Sequence, residues 1–412
     1  MTLYQTAARV WFTLAGLSLL LPGSVRLGMW LPLHLLLAGA ASVAISGAMQ
    51  TFVAALTATG SPPAVWVWGQ FVAMNAGVAL IALGRTLTLP SLVAVGGSAF
   101  VAGAVILLWF VLRARRASLH ERHRLPIGMY AFAVSCALVG GTFGALIGSG
   151  SIHDDTTYHA FRYAHVTINV LGWVSVTIAA TLITLLPTIL RVRMPSWHGG
   201  WTAGSLAVGS ATLATGLALR TTPVAVVGGL FELSGALGLA WMVSRVVRTP
   251  RPRAAPVSAL HLIAAVVWFV IGCAAFSVTA WHGTVGFDDF SQDFLAIFVV
   301  GWVAQVLLGA WSFLLPNTRP GHPDVRRAGL VAIEFAAWAQ LAAVNVGVAL
   351  MSMQAAGWLG RTAGSIGVAL AVAGGSFALV KAWAFPVLAS AGLSDRRGEA
   401  AWSRADPPGA DR

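Results

Sequence analysis

Apolar stretches of about twenty residues, interrupted by Pro, Gly and clustered Arg, recur along nearly the whole chain. They run near residues 5–22, 31–57, 64–84, 89–112, 126–149 and 163–190, then 201–219, 222–247, 256–281, 293–316, 325–351 and 362–391. A helix needs about 20 residues to cross the hydrocarbon layer, and the short alternating segments of a barrel wall are missing from the pattern. The prediction is an all-α polytopic membrane protein with about twelve transmembrane helices, a single domain over 1–391 and a polar, disordered tail over 392–412.

The windows repeat. One reads His165-VTINVL-Gly172-Trp173 and ends at Pro187, and another reads Phe294-LAIFVV-Gly301-Trp302 and ends at Pro316. His34 opens the corresponding window near the amino terminus, four windows before His165. Asn75-AGVAL and Asn345-VGVAL match, as do Trp109 with Arg113 and Trp241 with Arg245. Such spacing predicts three pseudo-symmetric four-helix repeats, over about 1–120, 121–253 and 254–391.

Composition narrows the class. Hydrophobic side chains make up 58% and charged ones 9%, which excludes a soluble enzyme, a disordered chain and a nucleic-acid reader. The net charge of +12 is unevenly placed. Most Arg lies between even and odd windows or in the tails, whereas the opposite connections hold Arg26, Arg85, Arg162, Arg220 and Arg361 with Asp154, Asp155, Asp288 and Asp289. The positive-inside tendency then puts both termini in the cytoplasm of a multi-pass protein of the cell membrane, with no cleavable signal peptide. Cys136 and Cys273 sit inside apolar windows and read as small hydrophobes.

Topology sorts the ten histidines. His120, His123, His198 and His322 accompany Arg-rich connections and read as a solvated basic rim, while His261 opens a window at the cytoplasmic side. His34 and His165 occupy one repeat position near the outer ends of their windows. Neutral imidazole ligates haem iron, copper and zinc, so the two are candidate metal or cofactor ligands, with Asn169 one turn from His165 on the same face. The alternative is a pair of interfacial histidines bonded to backbone or water. His153, His159, His282 and Asp293 join the outer acidic residues as a further candidate cation-binding set or a solvated negative rim; of these His159, His282 and Asp293 are candidate metal ligands. Glu334, Glu232 and Lys381 are the ionisable groups deepest in the windows. Glu334 and Asn345, eleven residues apart, share a helical face and with Glu232 outline a candidate proton path.

The twelve-window layout with histidines on the second and sixth windows resembles the catalytic subunit of the haem-copper oxidase superfamily, and more nearly the NnrS-like membrane proteins linked to haem, copper and nitric oxide stress. In that superfamily the second-span histidine ligates haem and a sixth-span histidine ligates copper, which implies those roles for His34 and His165. The resemblance is incomplete: Asn169 stands where the oxidases carry tyrosine, 201–219 lacks their histidine pair, and Asp293-Phe294-Leu295 replaces their later histidines. It therefore implies a haem- or copper-binding protein of reduced ligand set rather than a terminal oxidase, serving electron transfer, metal handling or nitric oxide response, with a redox partner protein and the lipid bilayer as its neighbours. Two other readings stand beside it: a proton-coupled secondary transporter using Glu334 and Glu232, and a cofactor-free assembly or sensor subunit.

Overall fold

The computed structural model describes residues 2–118, 123–194, 199–250, 255–282, 294–318 and 323–402. All regular structure among them is helical. In chain order the helices are α1 (Thr2–Ser18), α2 (Trp30–Thr57), α3 (Ala64–Thr86), α4 (Pro90–Ala117), α5 (Arg124–Gly148) and α6 (Asp155–Leu190). They continue as α7 (Gly199–Ala218), α8 (Thr222–Arg248), α9 (Val257–Trp281) and α10, which comprises Phe294–Ala304 and Gln305–Thr318. The last three are α11 (Pro323–Glu334), α12 (Ala337–Ala355) and α13 (Arg361–Trp402). Among the described residues nine helices are long and apolar enough to cross a bilayer, and α11 with α12 passes the same test as one element bent by 43°.

Three of these helices form the interior. The apolar windows of α2, α6 and α10 are 67%, 89% and 78% buried, against at most 44% for any other spanning helix. Each carries a π-helical stretch, over Leu35–Ala41, Ile168–Ser175 and Phe294–Ala304. A π turn holds an extra residue and leaves carbonyls with altered partners, and serine hydroxyls take two of them up. Ser42 Oγ donates to Leu37 O at 2.9 Å, and Ser175 Oγ to Val170 O at 2.8 Å, both five residues back. The same hydroxyls accept from the neighbouring interior helix: Trp173 Nε1 donates to Ser42 Oγ at 2.9 Å and Trp302 Nε1 to Ser175 Oγ at 2.8 Å. Buried indole N–H groups need such acceptors, so these bonds tie α2 to α6 and α6 to α10 in register.

Outside this trio, helices pack as close pairs. A Cβ added to Gly77 would lie 2.8 Å from Gly96 O, and one on Gly347 would lie 2.7 Å from Gly367 O, so α3 touches α4 and α12 touches α13 backbone to backbone. Contacts at the two ends of the chain also match in kind. Trp11 of α1 rests on Gly39 and donates to Asn75 Oδ1 at 2.7 Å; Trp268 of α9 rests on Gly301 and donates to Asn345 Oδ1 at 2.8 Å. Seven residues earlier on the same two helices, Tyr4 bonds Gln70 and His261 bonds Gln340, each ring seated on a glycine, Gly47 or Gly309.

Candidate functional site

The site begins with the turns that precede two of the π segments. His34 is the last residue of the α-helical turn Trp30–His34, and its Nδ1 lies 2.8 Å from Trp30 O. A carbonyl only accepts, so Nδ1 carries the proton and Nε2 keeps its lone pair when the ring is neutral. His165 repeats the arrangement with a different carbonyl: its Nδ1 is 2.8 Å from Gly140 O on α5. Asn169 Nδ2 sits 3.2 Å from the same ring nitrogen but gives a hydrogen to the His165 carbonyl oxygen at 2.8 Å, one turn back. The Nδ1 proton therefore goes to Gly140 O, and Asn169 buttresses the ring.

The two rings lie close together. His34 and His165 have centres 6.3 Å apart and planes within 9° of parallel. Trp30 stacks on His34 with centres 4.0 Å apart, bracing that ring. On α5, Gly144 makes room for His165, since a Cβ there would lie 2.6 Å from Cε1. No partner for either Nε2 is found among the described residues, and both side chains are only half-buried. Two imidazoles pointing free nitrogens at one ion, with bonds of ~2.0 Å and ring centres ~1.1 Å further back, have centres about 6 Å apart. The observed centre spacing is of that size, and two neutral imidazoles are donors of the kind that copper or a haem iron takes.

The remaining candidates lie elsewhere. His159 pairs with Asp155 at 3.6 Å on the first turns of α6, and His282 is exposed at the end of α9. Among the described residues no group of three or more His, Cys, Asp or Glu side chains is placed to hold a metal ion, so neither histidine joins His34 and His165 as a third ligand. Asp154 caps α6, accepting from Thr157 N at 2.7 Å, and the Thr157 hydroxyl and amide hold its carboxyl below the usual carboxylate range. His153 lies just before that cap. Asp288, Asp289 and Asp293 lie outside the described residues, as do His120, His198 and His322.

The expected face shared by Glu334 and Asn345 is broken. The chain interrupts its helix at Phe335 and Ala336, where Ala336 takes a left-handed φ of 47°, and the bend turns Glu334 away from the line of α12. Glu334 is exposed and accepts from Val257 N at 3.3 Å, closing the first turn of α9. Lys381 spans the gap, donating to Ile333 O at 2.8 Å and Phe335 O at 3.1 Å, which serves carbonyls freed by the break. Asn345 has its amide committed: it accepts from Trp268 and donates to Gln305 Oε1 and Leu341 O, each at 2.8 Å. Glu232 is 1% exposed with both carboxylate oxygens unpartnered, so it is separated from Glu334 in setting as well as in chain position.

Several contributors escape sequence reasoning. Trp30 and Gly140 touch the candidate ligands, and Gly144 shapes the space for His165. The Gly140–Gly144 spacing is a signal of close helix approach, but nothing in it names the side chain that fills the groove. Compared with known proteins, the chain matches no family model and no curated protein sequence, and its site is read from its own residues.

Proposed function

We propose that this is an integral membrane protein that holds copper or a haem iron between His34 and His165 and works in electron transfer, metal handling or nitric oxide response. The carrying observation is the pair itself: near-parallel imidazoles 6.3 Å apart, each with Nδ1 spent on a backbone carbonyl. Bound there, the metal would supply one-electron chemistry. The protein's part is to fix both tautomers, to leave two neutral nitrogens uncommitted on neighbouring rings, and to brace the rings with Trp30 and Asn169. The wider reading is twelve spans in three four-helix units with cytoplasmic termini, counting α11 and α12 as one broken span. It draws support from the three buried π-bearing helices and from the matching Trp–Asn contacts at the two ends of the chain. Within that reading the architecture is that of a haem-copper oxidase with a reduced ligand set, NnrS-like in kind, served by a redox partner protein.

Purified protein should carry a Soret band or about one equivalent of copper, and His34→Ala or His165→Ala should remove it while helical content is retained. Folded protein that takes up neither group after reconstitution overturns the proposal. A second reading, a proton-coupled transporter, is favoured by the broken α11–α12 element, because discontinuous helices with freed carbonyls line substrate paths in such proteins. Its test is gradient-driven uptake abolished by Glu334→Gln.

A further inference from the structure

Between the three interior helices, on the side of the π segments away from the histidine pair, lies a cavity of about 70 Å³. Helices α2, α6 and α10 form its walls with residues of α1 and α9 at its margin, and part of its surface is open. Its lining is apolar, with Ala44, Met49, Ile178, Leu182, Val306 and Leu307 representative, apart from Gln5, Thr177 and Thr181.

Each of those three polar residues is bonded within the protein. Gln5 Oε1 accepts from Trp311 Nε1 at 2.7 Å. Thr177 Oγ1 donates to Trp173 O at 2.7 Å, and Thr181 Oγ1 to Thr177 O at 2.8 Å, while the Thr181 oxygen also meets the Tyr130 hydroxyl at 3.0 Å. Left over are the Gln5 amide hydrogens and acceptor lone pairs on the threonine hydroxyls. A buried water needs 2–4 polar partners, and these few groups are set in an otherwise apolar lining. An apolar void of ~150 Å³ takes benzene or xenon, so half that volume suits a guest of two or three heavy atoms.

We propose that this cavity is a binding site for one small uncharged apolar molecule, of the size of a diatomic gas or a xenon atom. Its place follows from chain geometry. Ala41 stands seven residues beyond His34 and Val174 nine beyond His165, so the cavity begins about 10–14 Å along the same two helices from the imidazoles. The small residues Ala41, Ala44, Ala48 and Ala310 keep it open where larger side chains would close it. The inference stands on the void alone and needs no metal at the histidine pair.

Xenon is the probe, applied under pressure to the purified full chain and read by the chemical shift of the dissolved gas or by its density in crystals. One site per molecule is expected at the cavity. Ala44→Leu, which fills it, should weaken xenon binding at least tenfold, whereas Met49→Ala, which enlarges it, should admit benzene that the parent chain refuses. Retained helical content certifies each variant, and the enlarging variant carries the test if the filling one fails to fold. Absence of xenon from the folded parent chain, ordered water in the void, or xenon binding indifferent to both substitutions overturns the proposal. His165→Ala is expected to leave xenon binding unchanged, which separates this result from that of the metal site.

Discussion

Histidine occupies two unlike environments in this bundle. At the His34–His165 pair each ring is half-buried, gives its Nδ1 proton to a backbone carbonyl and keeps Nε2 free. His261 is wholly buried, holds Gln340 at 3.0 Å through Nε2, and leaves its Nδ1 without a partner, as Gln340 leaves its Oε1. The first arrangement leaves two lone pairs uncommitted; the second spends one nitrogen on packing. Tyr4 makes the contrast sharper. In the matching place on α1 its hydroxyl donates to Gln70 Oε1 and accepts from Gln50 Nε2, so the Tyr4 hydroxyl is fully used where the His261 ring is not, although Gln70 Nε2 lacks a partner as Gln340 Oε1 does. An imidazole is thus a ligand candidate through its hydrogen-bonding surroundings, not through burial alone.

The largest test of this contrast is ligand removal. His165→Ala should lower metal or haem occupancy more than ~100-fold, exceeding the 10–100-fold range for residues that only orient ligands, while His261→Phe keeps it within about twofold. Equal losses in the two variants would erase the distinction. Next comes Gly144→Val: the added atoms meet His165 at Cε1 and Nδ1, so affinity by titration should fall ~10-fold or more with circular dichroism unchanged. Asn169→Leu keeps the helix and loses the brace on His165, and a drop of about tenfold is expected in the same titration.

Stability measurements sharpen the other half. Tyr4→Phe leaves Gln50 and Gln70 only their 3.2 Å bond to each other in the interior and should cost about 1–3 kcal/mol in thermal or denaturant unfolding. His261→Phe removes one orphaned nitrogen and should cost less than that; a larger loss would mean that the neighbouring Gln305 holds His261 as firmly as Gln340 does. The smallest effect belongs to Asp154. Its carboxyl ionises below the usual range because the folded helix end favours the charged form, so the capping contribution is present at neutral pH and fades as acid protonates the group. Exchange of the Thr157 amide should therefore accelerate in Asp154→Ala at neutral pH and approach the parent's rate in acid.

Much of this arrangement is legible from the amino acids. Window lengths and Pro or Gly punctuation place helices such as α2, α3 and α8 within a few residues, and the repeat register picks out His34 and His165 from ten histidines. The break before α12 is not legible, because Phe335 and Ala336 are neither Pro nor Gly and the left-handed turn arises from tertiary contacts with Lys381. The Glu334–Asn345 face fails for that reason, since an eleven-residue spacing has meaning only on an unbroken helix. The equivalence of Tyr4 and His261 is hidden because different residue types fill one structural role. Gly140 is hidden for another reason, since a carbonyl acceptor belongs to backbone geometry that side-chain spacing does not encode; Trp30, four residues before His34 on one helical turn, carries a signal in its spacing.

The wide turns just after His34 and His165 have a consequence for how such a chain can change. A wide turn takes up one surplus residue, worth about 100° of α-helical rotation, while the stretches on either side keep their mutual setting, so the serine- and tryptophan-locked end is undisturbed by it. Deleting a single residue there, Leu37 for instance, can be absorbed by reversion to an ordinary α-helix that leaves His34 on its present side of the bundle. A molecule built this way can lose or regain a residue beside its paired imidazoles by one codon without re-knitting its core.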